Sequence, residues 1–208
     1  MESWAQEEKP VAIEAESHHH LVIENEFVRV FHVTLPSGER TLYHVHLYDF
    51  AGVQLVTATT TDQQPGKPET APKEDEVGRA WTMTESGPRT HRVHNVGSTT
   101  MDLMDVEFLK KASGTASEPI AQVVAENAEG RVYRWKMAAH ETSATHAHTR
   151  PYLIVVVQPM RLKMTAPDGQ SRTEDVKAGD LHWVDFAVTH SFTNESDAEG
   201  ELVEIELK

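Results

Sequence analysis

The chain predicts an all-β protein made of two tandem copies of one sandwich or barrel unit, on three observations. Asn25 to His46 aligns without a gap onto Asn127 to His148, and a repeat of that length marks two copies of one structural unit. The apolar residues come in short runs of alternating polarity, the period of a half-buried strand. Gly, Pro and Asp turn signals break those runs roughly every 8–12 residues, and no segment holds a convincing helical period of about ten residues. With 208 residues in all, each copy has roughly a hundred residues, enough to close a core of its own.

The elements follow in order. Residues 1–20 read as a flexible N-terminal arm. Positions 1–17 are acidic and aperiodic, and His18, His19 and His20 read as a solvated lead into the first strand with no function. The first barrel is expected over 21–112. FVRVFHVTL puts Phe27, Arg29, Phe31 and Val33 on one face and Val28, Val30, His32 and Thr34 on the other. The turn PSGE follows, then TLYHVHL and GVQLVTATT. Residues 62–77 are Pro-rich, charged and almost free of large apolar groups, which predicts a long exposed connection. AWTMT, HRVHNV and MDLMDVEFL complete the unit. KASGTASEP has linker composition and places a linker at 113–120. The second barrel, over 121–208, repeats the order with RVYRWKM, SATHAH, PYLIVVVQ, RLKMTAPDG, GDLHWVDFAVTHSF and ELVEIEL, APDG being a tight hairpin turn.

Composition narrows the function. The net charge is −14, which disfavours nucleic acid, since an acidic surface repels phosphates. No apolar run approaches the ~20 residues of a membrane helix, so no membrane partner is expected. The chain has no cysteine, which excludes disulfides, Cys-zinc sites and thiolate nucleophiles. Met1 to Gln6 lacks the apolar core of a signal peptide. The stretch SWAQEEKP also suits the remnant of a removed one, leaving a cytoplasmic and an exported protein both open.

The chemistry lies in the histidines. His44-Val45-His46 and His146-Ala147-His148 each carry two imidazoles one residue apart. On a strand both point to one face, about 6–7 Å apart, and reach one ion at the ~2.0–2.1 Å of a metal–imidazole bond. A second gapless repeat, His91 to Phe108 onto His190 to Leu207, supplies a third histidine to each unit, His91 and His190, and also matches Asn95 to Asn194.

At these residues the chain resembles the cupin superfamily. The family's first motif is Gly, five residues, His-x-His, three or four residues, Glu, six residues, Gly. Its second is Gly, five residues, Pro-x-Gly, two residues, His, three residues, Asn. Gly38 precedes His44-Val45-His46 at the family spacing, and Gly179, His190 and Asn194 fit the second motif, with Asp185 and Ala187 in place of its Pro and second Gly. His91 and Asn95 fit in the first unit, where Ala80 stands at the upstream glycine position. His140 stands at the glycine position of the second unit's first motif. The resemblance covers ~21–110 and ~121–208 and implies a bicupin, two tandem double-stranded β-helix (jelly-roll) barrels of the RmlC-like type, with metal held by His44, His46 and His91 and by His146, His148 and His190. It also implies oxygenase, isomerase or lyase chemistry on a small molecule in the cavity. The alternatives are a barrel that binds or senses a small ligand without catalysis and a structural unit whose histidines merely pack.

The family's glutamate, usually the fourth ligand, is absent from both motifs: Phe50 and Tyr152 stand in its place. Asp49 lies one place early, and a regular strand turns it to the other face. Three neutral imidazoles leave a divalent ion its full charge and disfavour hard ions, so Zn, Ni, Fe or Cu is expected over Mn or Mg. Tyr152 is the candidate catalytic residue, as proton donor or ligand orienter. The second unit has the better spacing and Tyr152, the first has Asp49 and His94, and the sequence does not choose between them. Tyr133 and Trp135 read as core or inter-barrel contacts, and one of His182 and Trp183 faces inward. Arg29 and Arg131 read as salt-bridge partners of a repeated acid such as Glu107 and Glu206, or as anchors for a substrate carboxylate. The protein is expected to be a monomer or homodimer, since a bicupin already supplies the usual barrel pairing.

Overall fold

The computed structural model describes residues 8–84, 87–113 and 120–208. The first half contains β1 (Val11–Ala12), β2 (His19–Glu24), β3 (Val28–Leu35), β4 (His44–His46), β5 (Phe50–Val56), β6 (Ala58–Gln63), β7 (Lys73–Asp75), β8 (Ala80–Met83), β9 (Arg89–Asn95) and β10 (Met101–Phe108). The second contains β11 (Val123–Glu126), β12 (Gly130–Met137), β13 (His146–His148), β14 (Tyr152–Gln158), β15 (Met160–Thr165), β16 (Ser171–Val176), β17 (Leu181–Val184), β18 (Val188–Asn194) and β19 (Gly200–Leu207).

Each half is a pair of sheets. The orders are β1-β4-β9-β6-β7 against β2-β3-β10-β5-β8, and β13-β18-β15-β16 against β11-β12-β19-β14-β17. Apart from the extra β1, the two halves have one topology, the crossed-over antiparallel order of a jelly roll. Among the described residues the ladders form two sheets per half and do not close into a ring.

Period-2 alternation decides what each face does. On β3 and β10, Val28, Val30, Met104, Val106 and Phe108 turn outward into one apolar cluster with Val132, Leu153, Val155, Val203, Ile205 and Leu207 of the second half. The β2-β3-β10-β5-β8 and β11-β12-β19-β14-β17 sheets are thereby fused across a single apolar core. Residues one place along, Asp105 and Glu107 on β10 and Glu204 and Glu206 on β19, face into their own half and are buried. The sequence places four carboxylates on inward positions of its two final strands, next to the histidines.

Several expectations change. The arm expected over 1–20 is packed from Val11 onward. β1 pairs in parallel with β4, Val11 opposite His44, and Ile13 is 1% exposed among Phe31, Val33, Leu35, Ala58 and Met101. One isoleucine filling the end of a sandwich leaves no period for a sequence reading to detect. Within 62–77, β6 runs through Gln63, and Lys73 pairs with Thr60 on a wholly polar β7, so the exposed connection shrinks to 64–72. GVQLVTATT is two strands, β5 and β6, broken at Thr57. Of the linker expected at 113–120, residues 114–119 lie outside the described residues.

The motif glycines are explained by backbone conformation. Gly38 has φ +80°, and His140, at the matching place in the second half, has φ +62°. The turn needs a left-handed residue, which glycine adopts freely and histidine at a cost of about 1–2 kcal/mol. The upstream glycine of the first unit's second motif is Gly78 rather than the Ala80 position. Gly78 (φ +77°) and Gly179 (φ +86°) donate their N–H groups to Gln54 and Val156 respectively, on β5 and β14. A longer β8–β9 connection hides this match from a gapless alignment. Asn95 and Asn194 are fully buried. Asn194 Nδ2 donates to the carbonyls of Met137, Ala138 and Ala198, and Asn95 Nδ2 to those of Leu35 and Thr99. They pin turns rather than face a ligand.

Ile13→Ala is expected to cost about 2–5 kcal/mol, the range for truncating a buried isoleucine, seen as a fall of several degrees in melting temperature. A shift below one degree would restore the picture of a free arm.

Candidate metal centres

Strand pairing assembles both histidine trios in the same way. His44 on β4 lies opposite His91 on β9, and His146 on β13 opposite His190 on β18. The x residue of each His-x-His turns away, so His46 and His148 share the face of their neighbours. In the first trio the ring centroids of His44 and His91 are 4.6 Å apart, and His46 is 5.1 Å from each. In the second, His146 and His190 are 4.5 Å apart, with His148 5.2 and 5.3 Å from them. One candidate donor atom from each of His44, His46 and His91 lies within 4.8 Å of the others, and the same holds for His146, His148, His190 and Glu204.

The nitrogens show whether a cation fits. His44 Nδ1 donates to the Leu42 carbonyl at 3.0 Å, His146 Nδ1 to that of Ala144 at 3.1 Å, and His91 Nδ1 faces Asp62 Oδ2 across 2.5 Å. With Nδ1 as donor, Nε2 carries the lone pair. Nε2 of His44, His91, His146 and His190 is buried with no hydrogen-bond partner. A buried polar atom without a partner costs about 1–3 kcal/mol. A metal ion meets that need, and the Asp62 and carbonyl contacts are the outer shell such ligands use. The residues therefore fit a divalent ion.

Electrostatics differ between the trios. Burial, reinforced by the neighbouring His91 and His19, pushes His44 down to about 2. Burial also holds His91 at about 4, although Asp62 opposes it, and His190 at about 3. His148 goes the other way. Burial lowers it, but hydrogen bonds and attraction from Glu204 and Glu206 outweigh that and raise it to about 9. Desolvation raises Asp105 to about 6, helped by Glu107.

A pH prediction follows for the protein stripped of metal. His44, His91 and His190 have folded values below the ~6.5 of an unfolded histidine. Their contribution is present above that pH and is lost as pH falls toward 4 and below. Asp105 opposes the acid loss, as one group against three. His148, raised to about 9, contributes below ~6.5 and loses that contribution as pH rises through 9. The melting temperature should therefore peak near pH 6–7 and fall on both sides, and His148→Gln should flatten chiefly the alkaline limb, with a smaller easing of the acid limb because His148 also helps hold His190 down. A melting temperature that rises steadily from pH 7 to pH 5 contradicts this.

Other expected residues fall into place around the trios. Phe50 stacks on His46 at 4.6 Å and 21°, and Tyr152 on His148 at 3.8 Å and 15°. The aromatic residue at the motif's glutamate position backs the second histidine. Burial, with Glu204 nearby, raises the Tyr152 phenol well above its usual range, so it keeps its proton and is not an anionic ligand. Asp49 and His94 lie outside both donor sets, and His94 Nδ1 contacts Glu69. Arg29 makes the expected pair with Glu107 through Nε at 3.1 Å and through Nη2, whereas Arg131 contacts Glu126. Trp183 joins the apolar cluster shared by the halves and, with His182, lines the second cavity.

Three residues, Trp135, Glu204 and His19, have roles at these sites that sequence reasoning missed. Trp135 is core, one of its two expected places, packed on the inner cluster of the second half and not between the halves. It stacks on His146 at 4.8 Å, and its Nε1 donates to Glu204 Oε2 at 2.5 Å. Glu204 itself joins the second donor set, so that unit has a glutamate after all, from its last strand. Its partner position in the repeat, Asp105, was the available signal. His19 is 8% exposed, 4.5 Å from the His44 ring, with Nδ1 2.6 Å from the buried Glu16. The "solvated" His run thus contributes to the first site.

The cavities also differ. The first, about 410 Å³, is lined by all three histidines together with Asp62, Lys73, Arg79, Arg89 and Asp105, with Trp81 as an aromatic wall. The second, about 510 Å³, is lined by Ile154, Leu162, Met164 and Phe186 together with Arg172, Glu174 and His182, and reaches only His190 of its trio.

No protein-family model matches the sequence, and no curated protein matches it. Solved structures do. AerE from Microcystis aeruginosa is 10% identical over 96% of both chains, with a TM-score of 0.65. A Cupin 2 conserved barrel domain protein from Leptotrichia buccalis is 9% identical over 91% of this chain and 88% of its own, at 0.56. An oxalate decarboxylase variant from Bacillus subtilis is 14% identical over 88% and 69%, at 0.54. At these identities the likeness is one of fold.

Proposed function

We infer from the cupin fold of this chain that it is a bicupin enzyme, dependent on a divalent transition metal, acting on a small polar molecule in the first cavity. One observation carries the choice of half. All three histidines of the first trio line their cavity, whereas only His190 of the second trio lines its own. His44, His46 and His91 would hold the ion, which supplies Lewis-acid polarisation of a substrate oxygen when bound.

The chain's own residues do the rest. Lys73, Arg79 and Arg89 are set against Asp62 and Asp75 along the wall, Arg89 Nη2 lying 2.9 Å from Asp62 Oδ2 and Lys73 Nζ 2.8 Å from Asp75 Oδ1. With Asp105 as the third carboxylate of the lining, such a wall offers donors and acceptors but no net charge, and it suits a substrate bearing several hydroxyl, carbonyl or carboxyl groups. The Trp81 ring, with Arg79 stacked 4.4 Å over it, gives an apolar face for a short carbon skeleton. Tyr152 serves as the plate behind His148, remote from this chemistry. A fold shared with an oxalate decarboxylase supports metal-dependent chemistry without selecting the reaction.

The test uses protein purified without a nickel column and loaded in turn with Zn, Fe, Ni or Cu. A thermal-shift panel of small hydroxy, keto and carboxylic acids should give hits that Arg89→Met abolishes. Hits unaffected by Arg89→Met but lost in Ile154→Trp would move the active cavity to the second half.

A further inference from the structure

We propose that the two metal centres have divided roles. The second is a closed structural site whose fourth ligand is Glu204, while the first stays open because the matching residue is the shorter Asp105. This rests on the reading that both trios hold metal.

Glu204 and Asp105 occupy one place in the repeat, 14 residues beyond His190 and His91. Glu204 Oε1 lies 3.3 Å from His148 Nε2. Two donors on one tetrahedral ion with ~2.0–2.1 Å bonds stand about 3.3–3.4 Å apart, so both atoms can bind one cation without movement. Apart from His148, Glu204 Oε1 is buried with no polar partner. The other oxygen, Oε2, is fixed by Trp135 Nε1 at 2.5 Å. Behind the ring, Glu206 Oε2 stands 3.3 Å from His148 Nδ1, orienting Nε2 toward the ion. The arrangement is three histidines plus a carboxylate, all buried, with only His190 at the cavity wall: a saturated site.

The first half keeps the orienting carboxylate and drops the ligand. Glu107 Oε1 faces His46 Nδ1 at 3.5 Å, as Glu206 faces His148. Asp105, one methylene shorter, stops beside that same Nδ1 edge, with Oδ2 at 3.7 Å, and falls outside the donor set. Its Oδ1 is buried without a partner, on the cavity wall. Catalytic sites keep a position open and structural sites fill it. A single methylene accounts for the difference here.

The probe is Co(II), loaded at two equivalents into the full chain, read by its visible spectrum and by chelator competition. The wild type should show one four-coordinate and one higher-coordinate ion. Glu204→Gln, which preserves shape, should weaken one equivalent by about 10–100-fold or more, and Trp135→Phe should weaken the same one by about tenfold or more. Asp105→Glu should convert the higher-coordinate spectrum to the four-coordinate type. Two equivalents that compete equally with chelator, unchanged in Glu204→Gln and Trp135→Phe with folding intact by circular dichroism, overturn the division of roles alone. A wild type that takes up no cobalt overturns it together with the metal reading.

Discussion

His91→Ala is expected to empty the first centre and leave the second filled. His91 is the cross-strand partner of His44, and its ring is held by Asp62. Alanine removes a ligand and leaves Asp62 facing a void, so affinity should fall by more than the ~10–100-fold that loss of an outer-shell partner alone costs. Metal analysis after dialysis should give one equivalent where the wild type gives two. His190→Ala should give the reciprocal loss, and the double variant none. Ligand binding in the first cavity should vanish with His91→Ala and survive His190→Ala. Two equivalents retained by His91→Ala would remove that residue from the site.

Val106→Asp is expected to be the most damaging single change. Val106 is fully buried, lies on β10 between Val30 of β3 and Ala51 of β5, and belongs to the cluster that joins the halves. An aspartate there places a carboxylate in a dry core with no cation to meet it, at a cost of several kcal/mol. At roughly 2–4 °C per kcal/mol for a chain of this size, the melting temperature should drop by about 10 °C or more. Because the cluster is shared, both halves should lose stability together in one calorimetric transition. Val106→Ala, which only leaves a small cavity, should cost far less. Two separated transitions in Val106→Asp, one unchanged, would show that the halves are independent.

Much of this was legible in the sequence, for physical reasons that differ by element. The strands of the shared core announce themselves because Val28, Val30, Val106 and Ile205 recur with period 2. The trios are legible because one-residue spacing on a strand sends His44 and His46 to a common face. His91 and His190 appear only through the repeat, since cross-strand pairing joins residues 47 and 44 positions apart in the chain. The carboxylates were visible as residues but not as ligands. In MDVEFL and VEIEL an acid alternating with apolar groups looks like an ordinary solvent-facing position, whereas here both faces of β10 and β19 are covered. The same ambiguity hid Trp135, whose inward face meets His146 and Glu204. The N-terminal segment escaped for a different reason. Ile13, Glu16 and His19 act singly, each through one tertiary contact, and a single contact leaves no pattern along the chain.

The proposed chemistry requires each trio to grip a cation. Diffraction from crystals grown with zinc, with anomalous data at the zinc edge, tests it most directly. The expected result is two peaks, one about 2.0–2.1 Å from Nε2 of His44 and His91 and the other at that distance from Nε2 of His146, His148 and His190, the second also within bonding distance of Glu204. Maps showing the imidazoles ordered as described here, with water or nothing between them at saturating zinc, would contradict it.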